Sequence, residues 1–322
     1  EDYRILRLNE KEAEFLCTPT GGLRLALLRS AGDSVFVNMD LAALGPALAV
    51  LGGGRSGEDR APYSWRDNPD FWERELPEQI AAKAAELPDG KRFDSFVVDE
   101  AQDFADLWWQ PVVALLRDPD QGGLYVYSDE NQRVFDRFGR PPMALVPLVL
   151  DRNLRNTKQI AEAFKPLVGQ RMRLNGGDGP SVRFIACTAE EALGVADDQI
   201  DPLLEDGWRP EDIALLTTGS RHEEQKARQS QGNREYWSSF WDAEQVFYGH
   251  VLGFKGLERR VIVLALNEEK SWERSRERLY VGLSRARDQL IVCGDPQFVL
   301  EVGGPEVARR LVPSGDGTRR SR

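Results

Sequence analysis

An α/β fold in two lobes, each built on a parallel sheet, is what this sequence predicts, and three observations predict it. The chain has 322 residues, enough for two domains of about 150 residues that each bury a core of their own. Short apolar runs alternate with amphipathic stretches through both halves, the pattern of strands joined by helical crossovers. Two of those runs, residues 93–98 and 124–127, lead into acids, Asp99-Glu100 in the first case and Asp129 after Ser128 in the second. Open parallel sheets collect their ligands beyond the carboxyl ends of the strands, so these acids stand where a ligand would lie.

In chain order, residues 3–12 have the spacing of a helix and 13–17 that of a short strand. A Gly/Thr/Pro turn at 18–22, an apolar helix at 23–29 and a strand at 34–38 follow. The Gly-, Arg-, Asp- and Pro-rich stretch 52–70 reads as a surface excursion, and an amphipathic helix over 71–87 leads into the strand that carries Asp99. Residues 141–147 mark the crossing into the second lobe. There the expected elements are a helix over 156–167, a strand over 182–187, a helix over 189–205 and a strand over 213–217. A polar loop over 219–235 and strands over 261–266 and 289–293 complete it. The domain boundaries are therefore 1–147, with a small insertion at about 50–85, then 148–300, and a flexible basic tail over 301–322.

Composition narrows the function classes. The three cysteines, Cys17, Cys187 and Cys293, lie far apart without a CxxC spacing, so neither a disulfide framework nor a zinc site is indicated. No apolar run approaches the ~20 residues of a membrane span, and the N-terminus lacks the basic-then-apolar pattern of a secretory signal, which places the chain off the membrane and in the cytoplasm. A net charge of −11 argues against a surface that binds nucleic acid everywhere. Arginines nonetheless concentrate at 221–234, at 274–287 and in the tail at Arg309, Arg310, Arg319, Arg320 and Arg322. A local phosphate-contacting stripe on an acidic body remains open, with solvated helix faces as the plain alternative.

The chemistry sits in five strings. In Asp99-Glu100-Ala101-Gln102-Asp103 the first carboxylate suits a magnesium ion, which keeps most of its water and takes one or two carboxylates. The second suits orienting and deprotonating an attacking water, while a strand-end turn or a helix cap is the plain reading of the pair. Ser128-Asp129-Glu130-Asn131-Gln132 puts an amide where it could sense a terminal phosphate. Leu150-Asp151-Arg152-Asn153-Leu154-Arg155-Asn156 enters a helix, and Phe254-Lys255-Gly256-Leu257-Glu258 precedes a strand. Tyr280-Val281-Gly282-Leu283-Ser284-Arg285-Ala286 is the last.

In this order the five strings resemble the motifs of the UvrD/Rep helicases of superfamily 1. Over residues 2–296 the chain resembles their compact bacterial members, some of which carry a nuclease-related domain upstream. The resemblance implies two RecA-like domains with parallel sheets, the P-loop nucleoside-triphosphatase architecture, with ATP and Mg2+ as cofactors. It also implies single-stranded nucleic acid, DNA before RNA, as partner, and a protein partner or an upstream nuclease-type domain beside it. By the same resemblance Asp99 would bind the metal, Glu100 would act as base and Gln132 would couple phosphate state to movement. Arg155 and Arg285 would reach the γ-phosphate. Glu258 would hold the sugar hydroxyl, with Gly256 allowing close backbone approach. Phe135 and Phe138 would stack bases, and His250 and Lys255 fall in the strand-contacting part of the fourth motif.

Three departures qualify those expectations. A working motor needs GxxxxGK[ST], whose lysine reaches the phosphates, and no such string occurs. At the expected place the chain reads Thr18-Pro19-Thr20-Gly21-Gly22-Leu23-Arg24. Gly21 and Gly22 keep a turn, and Arg24 is the remaining cation, a planar guanidinium that substitutes poorly for a compact ammonium in a tight loop. His250 and Leu252 stand where relatives usually carry a threonine and a histidine. No large insertion separates Arg155 from Lys255, so the accessory subdomain of larger relatives is expected to be missing or vestigial. The expected function is a helicase or translocase core whose ATP binding and hydrolysis are impaired. The alternative is an inactive pseudo-helicase that binds nucleic acid or a partner without turnover.

Overall fold

The structure is a computed structural model that describes residues 23–28, 34–39, 70–129, 139–168, 172–241 and 244–312. Two compact units divide the chain, Glu1–Val146 and Pro147–Arg322. The helix and strand expected over 3–17 lie outside the described residues, as do Gly21, Gly22, Gln132, Phe135 and Phe138.

In the first unit β1 (Leu23–Leu28) and β2 (Ser34–Met39) form an antiparallel pair with Leu23 opposite Met39. A wide helical turn, Phe71–Glu75, runs into α1 (Leu76–Ala85), which leads to β3 (Ser95–Val98), α2 (Trp109–Ala114) and β4 (Gly123–Val126). The sheet order is β2-β1-β3-β4, with β1 antiparallel to β3 and β3 parallel to β4. Ile80 and Ala84 of α1, Phe96 and Val98 of β3, and Trp109 and Val112 of α2 form its core together with Phe93, Phe104 and Trp108. The helix expected over 23–29 is therefore a strand. A six-residue apolar run cannot be assigned by periodicity alone, and here pairing with Val35, Phe36 and Val37 on one side and with β3 on the other decides it.

The second unit begins with β5 (Arg152–Asn153), α3 (Lys158–Phe164) and β6 (Arg173–Leu174), the two strands forming a small parallel pair. Then come β7 (Arg183–Ala186), α4 (Ala192–Asp197), α5 (Ile200–Glu205) and β8 (Ile213–Thr217). Next are α6 (Glu223–Gln231), α7 (Asn233–Trp241), β9 (Phe247–His250) and β10 (Arg259–Leu266). The chain continues through α8 (Ser275–Ser284), β11 (Ala286–Gly294), α9 (Pro296–Gly303) and α10 (Pro305–Leu311). A five-stranded sheet, order β7-β11-β10-β8-β9, is parallel throughout, as expected for this lobe. Its central strands read as nearly unbroken apolar runs because both faces are covered. Val261, Val263 and Ala265 of β10 pack with Ala192 and Ala196 of α4. On the opposite face α8 lies so close that a Cβ on Gly282 would come within 2.8 Å of a methyl of Leu264, which accounts for the glycine in the last motif.

Three further expectations are corrected here. Residues 189–205 are two helices, because Pro202 has no N–H to continue the first and sits in the opening turn of the second. The loop expected over 219–235 contains α6 and runs into α7. The α6 helix is capped by the His222 ring, which accepts the Glu224 N–H at 3.1 Å, and carries Glu223 and Glu224 in its first turn. Tyr236 and Phe240 of α7 bury against Phe247, with ring centroids 5.3 and 5.2 Å away. The tail expected from 301 is helical as far as Leu311, with Val307 and Leu311 buried.

Asn156 ties these layers together. Buried before α3, its Nδ2 donates to the carbonyls of Ser284 at 3.0 Å and Ala286 at 2.6 Å, while its Oδ1 accepts from Asn153 at 2.8 Å. Asn156→Ala would leave two interior carbonyls short of a donor and should cost about 1–3 kcal/mol. A lower urea midpoint at unchanged slope is the expected reading, and an unchanged midpoint would refute this role.

Candidate functional site

The carboxyl end of β3 carries the first cluster. Glu100 stands in the left-handed region, φ 55 and ψ 36, a conformation that costs a residue other than glycine roughly 1–2 kcal/mol. Its surroundings fix it there. The Glu100 N–H donates to Asp99 Oδ1 at 3.0 Å, and the Ala101 N–H donates to the Tyr127 carbonyl at 3.0 Å. Gln102, 3% exposed, donates from Nε2 to Glu100 Oε2 at 2.6 Å and accepts the Asp129 N–H on Oε1 at 2.9 Å. One buried amide thus joins the acids at the end of β3 to the turn at the end of β4. Sequence reasoning passed over Gln102, although its place two residues after Glu100 could have suggested a tether.

The second-unit residues gather at the opposite kind of edge, the amino ends of β10 and β11. Arg155 Nε lies 2.8 Å from Glu258 Oε2, and Arg287, which sequence reasoning also missed, approaches the other oxygen at 3.6 Å. Arg155 and Glu258 are 44% and 38% exposed, and such surface pairs are worth only ~0–1 kcal/mol, so Arg155 can exchange its partner at small cost. Arg285 is placed differently. At 1% exposure its guanidinium donates to Ser284 Oγ at 3.0 Å and to the carbonyls of Val281 at 3.1 Å and Leu257 at 3.4 Å. It braces the end of α8 against the chain entering β10. Gly256 has φ 75, the backbone form that favours glycine and leaves no side chain beside Glu258.

His250 and Lys255, expected to meet a nucleic acid strand, are directed inward. Lys255 is 5% exposed. The His250 Nδ1 accepts the Leu252 N–H at 3.2 Å and the Nε2 lies 3.1 Å from the Thr218 carbonyl, an arrangement that calls for the neutral ring with its proton on Nε2. Burial is the main cause that lowers its pKa from 6.5 to about 4, with Arg221 and Arg278 adding to the effect. Beside it, at the end of β10, buried Glu268 accepts from Ser275 Oγ at 2.8 Å and pairs with Arg278 at 3.2 Å. Burial raises the Glu268 pKa.

Leu23 and Arg24, which stand in the sequence where the lysine and hydroxyl residue of a phosphate loop are due, lie in β1, where Arg24 pairs with Asn38, whereas a phosphate loop aims its N–H groups from the start of a helix. Magnesium is a different matter. It needs only one or two carboxylates when phosphate and water supply the rest, and Asp99 at a strand end meets that need. Among the described residues no group of three or more His, Cys, Asp or Glu could hold a metal by protein ligands alone. No helix among them is long and apolar enough to cross a membrane.

No protein-family model and no curated protein matches the chain. Among solved structures it is similar to the C-terminal domain of a possible DNA helicase from Lactobacillus plantarum WCFS1, at 19% identity over 48% of this chain and 92% of that one, with a TM-score of 0.32. It is also similar to the PRRSV helicase, at 17% identity over 63% of this chain, with a TM-score of 0.36. It spans 35% of that chain's length.

The His250 geometry makes a prediction about pH. Its folded pKa of about 4 lies below the ordinary 6.5, so between those values the unfolded chain binds the proton that the folded chain refuses. The contribution is whole above pH 6.5 and declines as pH falls toward 4, by up to about 3 kcal/mol at ~1.4 kcal/mol per unit. Unfolding free energies of wild type and His250→Asn, measured from pH 7.5 to 4.5, should converge as pH falls. Parallel curves would show that this ring does not carry the dependence.

Proposed function

We propose that the chain is a helicase-type core of the UvrD/Rep kind that binds single-stranded nucleic acid and, by itself, turns over little or no ATP. The observation that carries this reading is the strained Glu100, held beside Asp99 and tied through Gln102 to the end of the neighbouring strand. Strain of this kind persists where the surroundings over-determine it, and it concentrates at working sites. In this reading Asp99 is the magnesium ligand and Glu100 orients water. Magnesium, when bound, would neutralise charge on phosphate oxygens. Arg155, held by an exposed carboxylate that it can leave, is the better placed of the two arginines to meet an anion, and Glu258 then becomes available to a sugar hydroxyl.

A second reading, a binding module that has lost turnover altogether, draws on β1 in the place where a phosphate loop would need a helix. Hydrolysis of Mg-ATP, measured with and without single-stranded DNA beside a Glu100→Gln control, separates both from a working motor. The expected result is turnover at the level of the protein-free blank in both proteins, with strand binding retained. Strand-stimulated hydrolysis that disappears in the control would establish a working motor. Absence of both strand and nucleotide binding would overturn the helicase-type reading itself.

A further inference from the structure

We propose that the loop joining β10 to α8 is a built stacking platform for one base of a single strand, with Trp272 as the platform and Lys270 as its phosphate-side cation. The inference rests on the nucleic-acid reading above and adds a contact that none of the sequence motifs contains. Trp272 is 57% exposed, in contrast to the buried Trp108 and Trp109, and Lys270 Nζ stands 4.3 Å from its ring centroid. The loop leaves the carboxyl end of β10, the edge of a parallel sheet where ligands collect.

What separates this tryptophan from an incidental surface residue is how firmly its loop is held. The Trp272 backbone N–H donates to Ser275 Oγ at 2.9 Å, and that hydroxyl donates to the buried Glu268 at 2.8 Å, which Arg278 also holds at 3.2 Å. At the other end Asn267 Oδ1 accepts the Gly219 N–H at 2.8 Å, while its Nδ2 donates to the Ser220 carbonyl at 2.8 Å and hydroxyl at 2.9 Å. Ser271 is bonded to Glu301 of α9. Arg274, the last residue before α8, takes a left-handed φ of 75, the other non-glycine residue with Glu100 to do so among the described residues. A loop that stores strain and is bonded at both ends presents its indole at little cost in ordering entropy, which is what a binding platform requires.

The chemistry follows from the pair. An indole face stacks on any base, and an ammonium beside it meets the adjoining phosphate. Lys270 covers one side of the ring, so an incoming base takes the other side or displaces the ammonium toward its own phosphate.

Fluorescence anisotropy of the full chain with labelled oligothymidylate and with an abasic strand of the same length tests the platform. Wild type should prefer the strand that has bases. Trp272→Ala should weaken oligothymidylate binding roughly 5- to 100-fold and erase that preference, Trp272→Phe should restore most of it, and Trp241→Ala, an exposed tryptophan on α7, should leave binding unchanged. Lys270→Gln should lower the salt slope by about 0.7, one phosphate's share on a single strand. Wild-type binding that Trp272→Ala leaves intact would overturn the platform and spare the nucleic-acid reading. No wild-type binding to either strand would overturn both.

Discussion

Burial of the second unit's central parallel strands on both faces is the constraint from which the placement of its candidate groups follows. β8, β10 and β11 are apolar along most of their length, with Ile213, Leu215, Val261, Val263, Leu264 and Ile291 fully buried. A charged side chain within such a strand would have to be desolvated in full, at a cost of several kcal/mol. Polar chemistry is therefore displaced to the strand ends. In the first unit it occupies the carboxyl ends of β3 and β4, and in the second both ends of the sheet are used. Arg155, Glu258 and Arg287 stand at the amino ends, whereas His250, Glu268 and the Trp272 loop stand at the carboxyl ends.

Groups at strand ends are useful only if something holds them, and three buried amides do this. Gln102 joins two strand ends, Asn156 joins α3 to the turn between α8 and β11, and Asn267 joins the loops after β8 and β10. An amide suits the task because it donates and accepts without carrying charge, so its burial costs little once it is bonded. The arginines show the other side of the same economy. Arg285, enclosed and multiply bonded, would give up several hydrogen bonds to move, while Arg155 gives up one exposed pair. Mobility toward an incoming anion belongs to the second arrangement.

Much of the second unit was legible in the sequence because its strands are long apolar runs with polar punctuation, and β8 falls on the residues read for it. The carboxylates at the end of β3 were legible for the same reason. What could not be read depends on distant partners. Residues 23–28 look the same as helix or strand until β2 and β3 are known to flank them. Residues 219–235 look like loop because the apolar side chains that anchor α7 come late, at Tyr236 and Phe240, and their partners Phe247 and Phe254 later still. The inward direction of His250, Lys255 and Arg285 has no counterpart in a motif, since a motif records residue type and spacing but not which way the chain turns.

The net charge of −11 bears on how such a protein would hold a strand. Counterion release dominates most nucleic-acid affinity and requires a basic face. Here many of the basic side chains already have acidic partners: Arg287 with Glu258, Arg278 with Glu268, Arg310 with Glu162 and Arg228 with Glu224. An arginine engaged in this way contributes little to the field felt by a phosphate. Affinity then has to come from terms that do not need excess positive charge, and aromatic stacking is the main one available. On the nucleic-acid reading proposed above, an acidic body with an exposed indole on a bonded loop would favour a strand whose bases are unpaired over a duplex that hides them.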